Sequence, residues 1–326
     1  MELKERLHLK MKLLLTDCST LSFNNDLDLK VFKKYGDVIY NNITSYDDLL
    51  SGTYNPDIIL CNKTPITRAV MQKMTNLKYI GLFATGYNNI DIDSAKEFGI
   101  TVCNAGSYST SAVAQQTFAY ILSHYNSVEK FDRSVKSGDW INSPTFSMLS
   151  FPTDELMNKT IGIIGFGSIG KRVSEIAKAF QMKVLVYTRT PKNEPDVSFV
   201  SLDELYNKSD IITVHCPLNE QSKKMFNSHA FKKMKNGAFF INTARGGVID
   251  ETALFNALES GKLSGAAVDV LEYEPMRKDC ILINAKNIII TPHTSWSPYE
   301  TRKRLLNIVC DNIDAFLNGK PKNTVM

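Results

Sequence analysis

At 326 residues, of which 43% are hydrophobic and 22% charged, the chain is too long for one ordinary core and comfortable for two domains; this composition excludes both disorder and burial in a membrane. The formal charge of +4 comes from Lys and Arg dispersed along the chain rather than gathered into blocks, so no nucleic-acid partner is expected and only a mild bias towards anionic small molecules remains. Six cysteines occur with no CxxC pair and no closely spaced histidine partner that could build a zinc site, which argues against a metal site and for free thiols in a reducing cytoplasm.

Apolar runs such as Ile161 to Ile164 are far shorter than a bilayer span, and no charged-then-apolar leader opens the chain, so a cytoplasmic protein without membrane contact is expected. Met1 to Lys10 are polar, precede a second methionine at Met11, and read as a disordered or helical extension. From Lys12 onward, short β-branched apolar runs alternate with amphipathic stretches, the pattern of βαβ units in a parallel sheet. Strands are predicted at Leu13 to Leu15, Val38 to Tyr40, Ile58 to Leu60, Tyr79 to Leu82 and Thr101 to Cys103. A long helix follows from Ser111 towards Val128, and Ser137 to Pro152, rich in Gly, Ser, Pro and aromatics, reads as an extended arm. A second α/β series starts at Thr160, with strands at Ile161 to Ile164, Val184 to Tyr187, Ile211 to Val214, Ala238 to Ile241, Ala266 to Val270 and Ile288 to Ile290. The last helix, Pro298 to Leu317, has no strand after it and is free to fold back onto the first domain.

Gly165 to Gly170 read GFGSIG between the Ile161 to Ile164 strand and a helix opening near Ser168. In that context Gly165 allows the tight turn, Gly167 lets a backbone approach a pyrophosphate, and Gly170 lets helix and strand pack closely. The diphosphate would sit on N–H groups at the helix start, Ser168, Ile169 and Gly170. About twenty positions on, where an acidic residue normally binds the ribose of NAD, the chain has Thr188 followed by Arg189, with Lys192 close by. Two readings stand side by side: a basic site that accommodates the 2′-phosphate of NADP, or a solvent-facing basic loop with NAD bound through hydroxyl contacts.

Three further segments stand at strand ends: Asn242-Thr243-Ala244-Arg245-Gly246-Gly247, Asp269 to Pro275, and Thr291-Pro292-His293-Thr294-Ser295-Trp296. Ligands bind at such ends in open α/β sheets, although singly an Arg at a turn, a Glu before Pro and a His after Pro each have an ordinary structural explanation. Together, and with Ala84-Thr85-Gly86-Tyr87-Asn88-Asn89-Ile90-Asp91, Val102 to Gly106 continuing through Thr110, and His215-Cys216-Pro217-Leu218, they resemble the D-isomer-specific 2-hydroxy acid dehydrogenase family from Met11 onward. Trp296, Phe146 and the Asp154-Glu155-Leu156 approach to the glycine turn look most like the branch of glycerate dehydrogenase and hydroxypyruvate reductase. One departure is Ser147-Met148-Leu149, where many relatives carry an aromatic cluster.

The resemblance implies an α/β fold of two doubly wound, Rossmann-like domains. A flavodoxin-like substrate domain, residues 1–106 and 298–326, is interrupted by an NAD(P)-binding Rossmann domain, residues 107–297, with the active site in the cleft. It also implies roles. Arg245 binds the substrate carboxylate and polarises the carbonyl, as a bidentate guanidinium suits a planar anion; His293 is the acid/base, and Glu274 its carboxylate partner, which favours the imidazolium. Coenzyme contacts fall to the glycine turn, Thr188, Arg189, Cys216, Pro217, Thr243, Ala244, Arg245, Asp269, His293 and Thr110. Substrate contacts fall to Thr85, Gly86, Arg245, His293 and Trp296, though Trp296 reads equally as packing at the domain junction. The expected chemistry is hydride exchange between NAD or NADP and a short 2-keto or 2-hydroxy acid in a homodimer, built through the helix from Ser111 and the arm around Trp140 and Phe146; those apolar residues read equally as internal packing. Formate dehydrogenases share the architecture but are expected to carry an amide in place of Glu274, and a coenzyme-sensing corepressor is the non-enzymatic alternative.

Overall fold

The computed structural model describes residues 11–191 and 194–325; the expected extension Met1 to Lys10 and Lys192 lie outside them. The chain divides into two compact units, one running to Tyr108 and resuming at Ser297, the other spanning Ser109–Trp296.

In the first unit five strands pair in parallel in the order β2-β1-β3-β4-β5: β1 (Lys12–Leu15), β2 (Asp37–Tyr40), β3 (Ile58–Cys61), β4 (Tyr79–Leu82) and β5 (Thr101–Cys103). Every residue of β3 and β4 is buried, as expected of parallel strands covered on both faces, and so they read as unbroken apolar runs. The last helix, Tyr299–Leu317, buries Leu305, Val309 and Ile313 and packs Phe316 against Tyr79 of β4, ring centroids 4.7 Å apart. Arg302 ties its start to the unit: two nitrogens meet the Asp26 carboxylate at 2.8 and 2.7 Å, and Nη1 also reaches the Leu21 carbonyl at 2.9 Å.

The second unit holds seven parallel strands in the order β12-β11-β10-β9-β6-β7-β8. They are β6 (Thr160–Ile164), β7 (Lys183–Tyr187), β8 (Ser198–Phe199), β9 (Ile211–Val214), β10 (Ala238–Asn242), β11 (Leu263–Val268) and β12 (Ile288–Ile290). The order reverses between β6 and β9, the arrangement of a dinucleotide fold, whose ligands bind beyond the carboxyl ends of the strands at that reversal. Alternation along β10 builds both cores. Phe239 and Ile241 join Ile161, Ile163 and the helix Thr110–Asn126 on one face, while Ala238 and Phe240 join Val214, Leu254 and Phe226 on the other, because successive strand residues point to opposite sides. Phe240 is fully buried, and truncating it to Ala would cost about 3–5 kcal/mol.

Some boundaries differ from the sequence reading. The long helix spans Thr110–Asn126 and stops at Ser127, whose φ of 50° is left-handed, before a second helix, Val128–Lys136. β11 runs Leu263–Val268 rather than Ala266 to Val270: Leu263 pairs with Ala238, although Ser264 and Gly265 weaken the apolar signal there. The two-residue β8 is too short to show a period. The unit limits also fall at Tyr108 and Ser297 rather than at Gly106 and Pro298. Tyr108 is buried and its carbonyl accepts from Arg304, while the Ser297 carbonyl accepts from Arg302, so the last helix holds both ends of the first unit.

Candidate active site

The glycines of the turn after β6 differ in what they permit. Gly165 has φ 95°, and a Cβ there would lie 2.7 Å from the backbone of His215; a Cβ on Gly170 would lie 2.2 Å from the Gly165 carbonyl oxygen. Both are required by the protein's own packing. Gly167 is not, since a Cβ there would meet nothing within 4 Å. It caps the helix Ser168–Ala179, which has no side-chain cap and no acidic residue in its first turn. An exposed helix start with open space above a glycine fits an anion, and the fit of a dinucleotide diphosphate rests on this observation. At the end of β7, Thr188 is half-buried and Arg189 exposed.

Three neighbouring strands, β10, β11 and β12, deliver the remaining chemistry at the same carboxyl edge. After β10, buried Asn242 pins the turn: its Oδ1 accepts from the Ala244 N–H at 2.9 Å and its Nδ2 donates to the Arg245 carbonyl at 2.9 Å. The Arg245 guanidinium is half-buried and donates to the Ala244 carbonyl at 2.7 Å. Among the described residues no carboxylate lies within ion-pairing distance of it. The next residue, Gly246, has no room for a side chain: a Cβ would fall 1.8 Å from the Leu271 carbonyl carbon. The Arg245 turn thus packs directly against the loop that carries Glu274.

Glu274 accepts from the Leu271 N–H through Oε1 at 3.0 Å, and its Oε2 lies 2.6 Å from Nδ1 of His293. A carboxylate can only accept, so Nδ1 carries the proton and Nε2 is left for a ligand. His293 has φ 55°, an uncommon left-handed conformation for a residue with a side chain. Its N–H donates to the Asp269 carbonyl at 2.8 Å, and its own carbonyl accepts from Trp296 Nε1 at 2.9 Å. Trp296 therefore grips the histidine's own turn, a structural use of its indole. The Asp269 carboxylate, 2% exposed, accepts from Thr291 Oγ1 at 2.5 Å and from the Thr294 and Ser295 N–H groups, each at 2.9 Å.

His215, in the loop after β9, is the other imidazole at this edge. Burial pushes its pKa down to about 3, and its ring nitrogens face Thr213 Oγ1 at 3.0 Å and Thr243 Oγ1 at 3.4 Å. It stays neutral at ordinary pH and is poorly suited to donate a proton, which leaves His293 for that work. Cys216, next to it, is half-buried, and burial raises its thiol pKa; Pro217 is exposed. Thr110 opens the long helix. In the first unit, Thr85 Oγ1 donates to the Gly106 carbonyl and Asn104 Nδ2 donates to the Thr85 carbonyl at 2.8 Å, which fixes the Thr85–Gly86 loop on the segment after β5.

The sequence reading quoted Asn242, Gly246 and Thr291 within the strand-end segments without giving them a role, although the first two set the Arg245 turn and Thr291 donates to Asp269, and it missed Tyr120. The paired Gly246-Gly247 after Arg245 was a readable signal of close approach, but the backbone approached is distant in sequence. Tyr120 gave no signal.

The D-isomer specific 2-hydroxyacid dehydrogenase NAD binding domain model matches residues 118–295. The chain is 40% identical over 321 residues to a hydroxypyruvate reductase of Blautia hydrogenotrophica, covering 97% of this chain and 99% of the relative. It is 35% identical to a glycerate dehydrogenase of Methylorubrum extorquens, covering 88% and 90%. Among solved structures it resembles an acyclic imino acid reductase in complex with NADPH and D-Arg, with TM-score 0.85 and 32% identity, covering 97% of this chain and 100% of that one. The chain belongs to the D-isomer specific 2-hydroxyacid dehydrogenase family. It is an oxidoreductase of the NAD(P)-dependent kind.

Proposed function

We propose that the chain reduces a short 2-keto acid, glyoxylate or hydroxypyruvate, to the D-2-hydroxy acid, with Arg245, Glu274 and His293 as its catalytic residues. The observation that carries this reading is the pairing of His293 with Glu274 at 2.6 Å, at the same strand edge as a half-buried guanidinium that no carboxylate among the described residues neutralises. The coenzyme, when bound, supplies the hydride. Arg245 binds the substrate carboxylate and orients the ketone. His293 holds a proton at Nε2 and gives it to the carbonyl oxygen as negative charge develops there; Glu274 offsets the charge of the imidazolium and fixes its ring. In the oxidative direction the same nitrogen accepts the hydroxyl proton.

Gly165, Gly167, Ser168, Ile169 and Gly170 would hold the diphosphate, and Cys216, Pro217, Thr243, Ala244, Asp269 and Thr110 would line the nicotinamide end. Thr85 and Gly86 would offer the substrate carboxylate a second contact, and Trp296 would limit substrate size from the His293 turn. NADP is accepted on this reading because Thr188 and Arg189 replace an acidic residue with a neutral and a cationic one, and the imino acid reductase cited above was solved with NADPH. We infer a homodimer, supported by Ile141, Phe146 and Leu149 of the 137–152 arm, which are 86%, 90% and 94% exposed. A cytoplasmic site is supported by six cysteines without a disulfide; no helix among the described residues is long and apolar enough to cross a membrane.

Steady-state kinetics with glyoxylate, hydroxypyruvate and pyruvate, each with NADH and NADPH and with chiral analysis of the product, test the proposal. Rapid formation of a D-hydroxy acid is expected. Tight coenzyme binding without turnover of any of the three would refute it and favour a coenzyme sensor.

A further inference from the structure

The turn that carries His293 is held in a conformation its backbone does not prefer, so something must over-determine it. Asp269 supplies the immediate anchors, through its carbonyl to His293 and through its carboxylate to the two following N–H groups. That carboxylate is itself oriented from behind. Thr291 Oγ1 lies 2.5 Å from Asp269 Oδ1 and 2.5 Å from the hydroxyl of Tyr120, a residue of the long helix Thr110–Asn126 that is 2% exposed. Because the carboxylate only accepts, Thr291 spends its single proton on Asp269 and turns a lone pair to Tyr120. Tyr120 must therefore be the donor, and the chain of donation runs one way: Tyr120 to Thr291 to Asp269.

We propose that Tyr120 is a positioning residue for the reaction, acting on His293 through Thr291 and Asp269. The inference rests on the reading of His293 as acid/base. Burial, reinforced by the nearby Asp269 charge, raises the phenol pKa, so the donor role persists across the working pH range. A simpler account, in which Tyr120 fills the core beside Ile121 and Phe118, needs only the ring and predicts no effect of the hydroxyl on chemistry.

The hydroxyl can be removed while keeping the ring. In the full-length protein, Tyr120→Phe is expected to lower kcat about tenfold, short of the roughly 10²-fold that a 1 Å misplacement of a reacting group can cost. The KM for hydroxypyruvate and the Kd for NADH and NADPH should change less than kcat, since the main loss falls on the proton that His293 gives up only in the transition state. Thr291→Val breaks the same chain and should lower kcat similarly, Thr291→Ser should recover most of it, and Tyr120→Phe with Thr291→Val should be no slower than the slower single variant. A kcat for Tyr120→Phe within twofold of wild type, or independent, multiplying effects in the double variant, overturns the inference. If His293→Asn keeps wild-type kcat, the active-site reading itself has failed, a result distinct from a silent Tyr120→Phe. Should Tyr120→Phe not fold, the Thr291→Val and Thr291→Ser pair still tests the chain: equal kcat in the two overturns the proposal.

Discussion

At His293 the left-handed backbone narrows the choice of replacement. Asparagine tolerates this conformation better than most residues, so His293→Asn removes the imidazole with little added strain, and any lost activity reports chemistry. We expect kcat to fall roughly 10²–10⁴-fold with coenzyme Kd unchanged, measured by steady-state kinetics and fluorescence titration; a kcat near wild type would remove His293 from the mechanism. Arg245→Ala is expected to raise the keto-acid KM and lower kcat together, because the guanidinium contacts the substrate both before and during hydride transfer. Turnover at an unaltered KM would contradict that role. Residue identities at the site were legible because Arg, Glu and His stood at successive strand ends. Their partners were less so: that Trp296 donates to the His293 carbonyl depends on a turn whose shape no local pattern reveals.

At the scale of elements, the glycines divide by what surrounds them. Gly167→Ala meets no protein atom, so its Tm should match wild type while coenzyme affinity weakens, measured by calorimetry on the same samples. Gly246→Ala would drive a methyl into the Leu271 backbone and should lower Tm and activity together, as the turn bearing Arg245 moves off the loop bearing Glu274. A Gly167→Ala variant with unchanged NADH and NADPH affinity would count against the diphosphate site. Strands with unbroken apolar runs, such as β3 and Ala238 to Ile241 of β10, were readable because both faces are buried. The stop of the long helix at Ser127 was not, since nothing in Asn126-Ser127-Val128 marks a left-handed residue.

For the whole molecule, pH acts on the two units through different groups. In the first, the Arg302 guanidinium holds the Asp26 carboxyl well below the usual carboxylate range. A depressed folded pKa contributes stability above the unfolded value of about 3.9, and that stability is lost as pH falls towards the folded one. Asp26→Asn should therefore flatten the stability profile below about pH 4. In the second, burial, with Lys130 adding to it, lowers the His124 pKa to about 4, while the ring stacks on Phe239 at 4.1 Å. The unfolded chain binds this proton first, so stability falls as pH drops from about 6.5 to 4, by on the order of 3 kcal/mol. His124→Gln should remove that slope in chemical denaturation at stepped pH, and an unchanged slope would place the titrating group elsewhere.

Local chemistry in the chain determined two α/β series, a glycine turn between strand and helix, and three strand-end segments with the residue types of a dehydrogenase. These are short-range features, set by side-chain period and by backbone freedom within a few residues. Only the tertiary structure decided which residues support the site. Gly246 is required by the backbone of Leu271, Asp269 is oriented from Tyr120, and the ends of the first unit are joined by Arg302 and Arg304. Each of these depends on steric approach or hydrogen-bond geometry that no short-range pattern in the chain encodes, and such contacts exist only once the elements of each unit have packed.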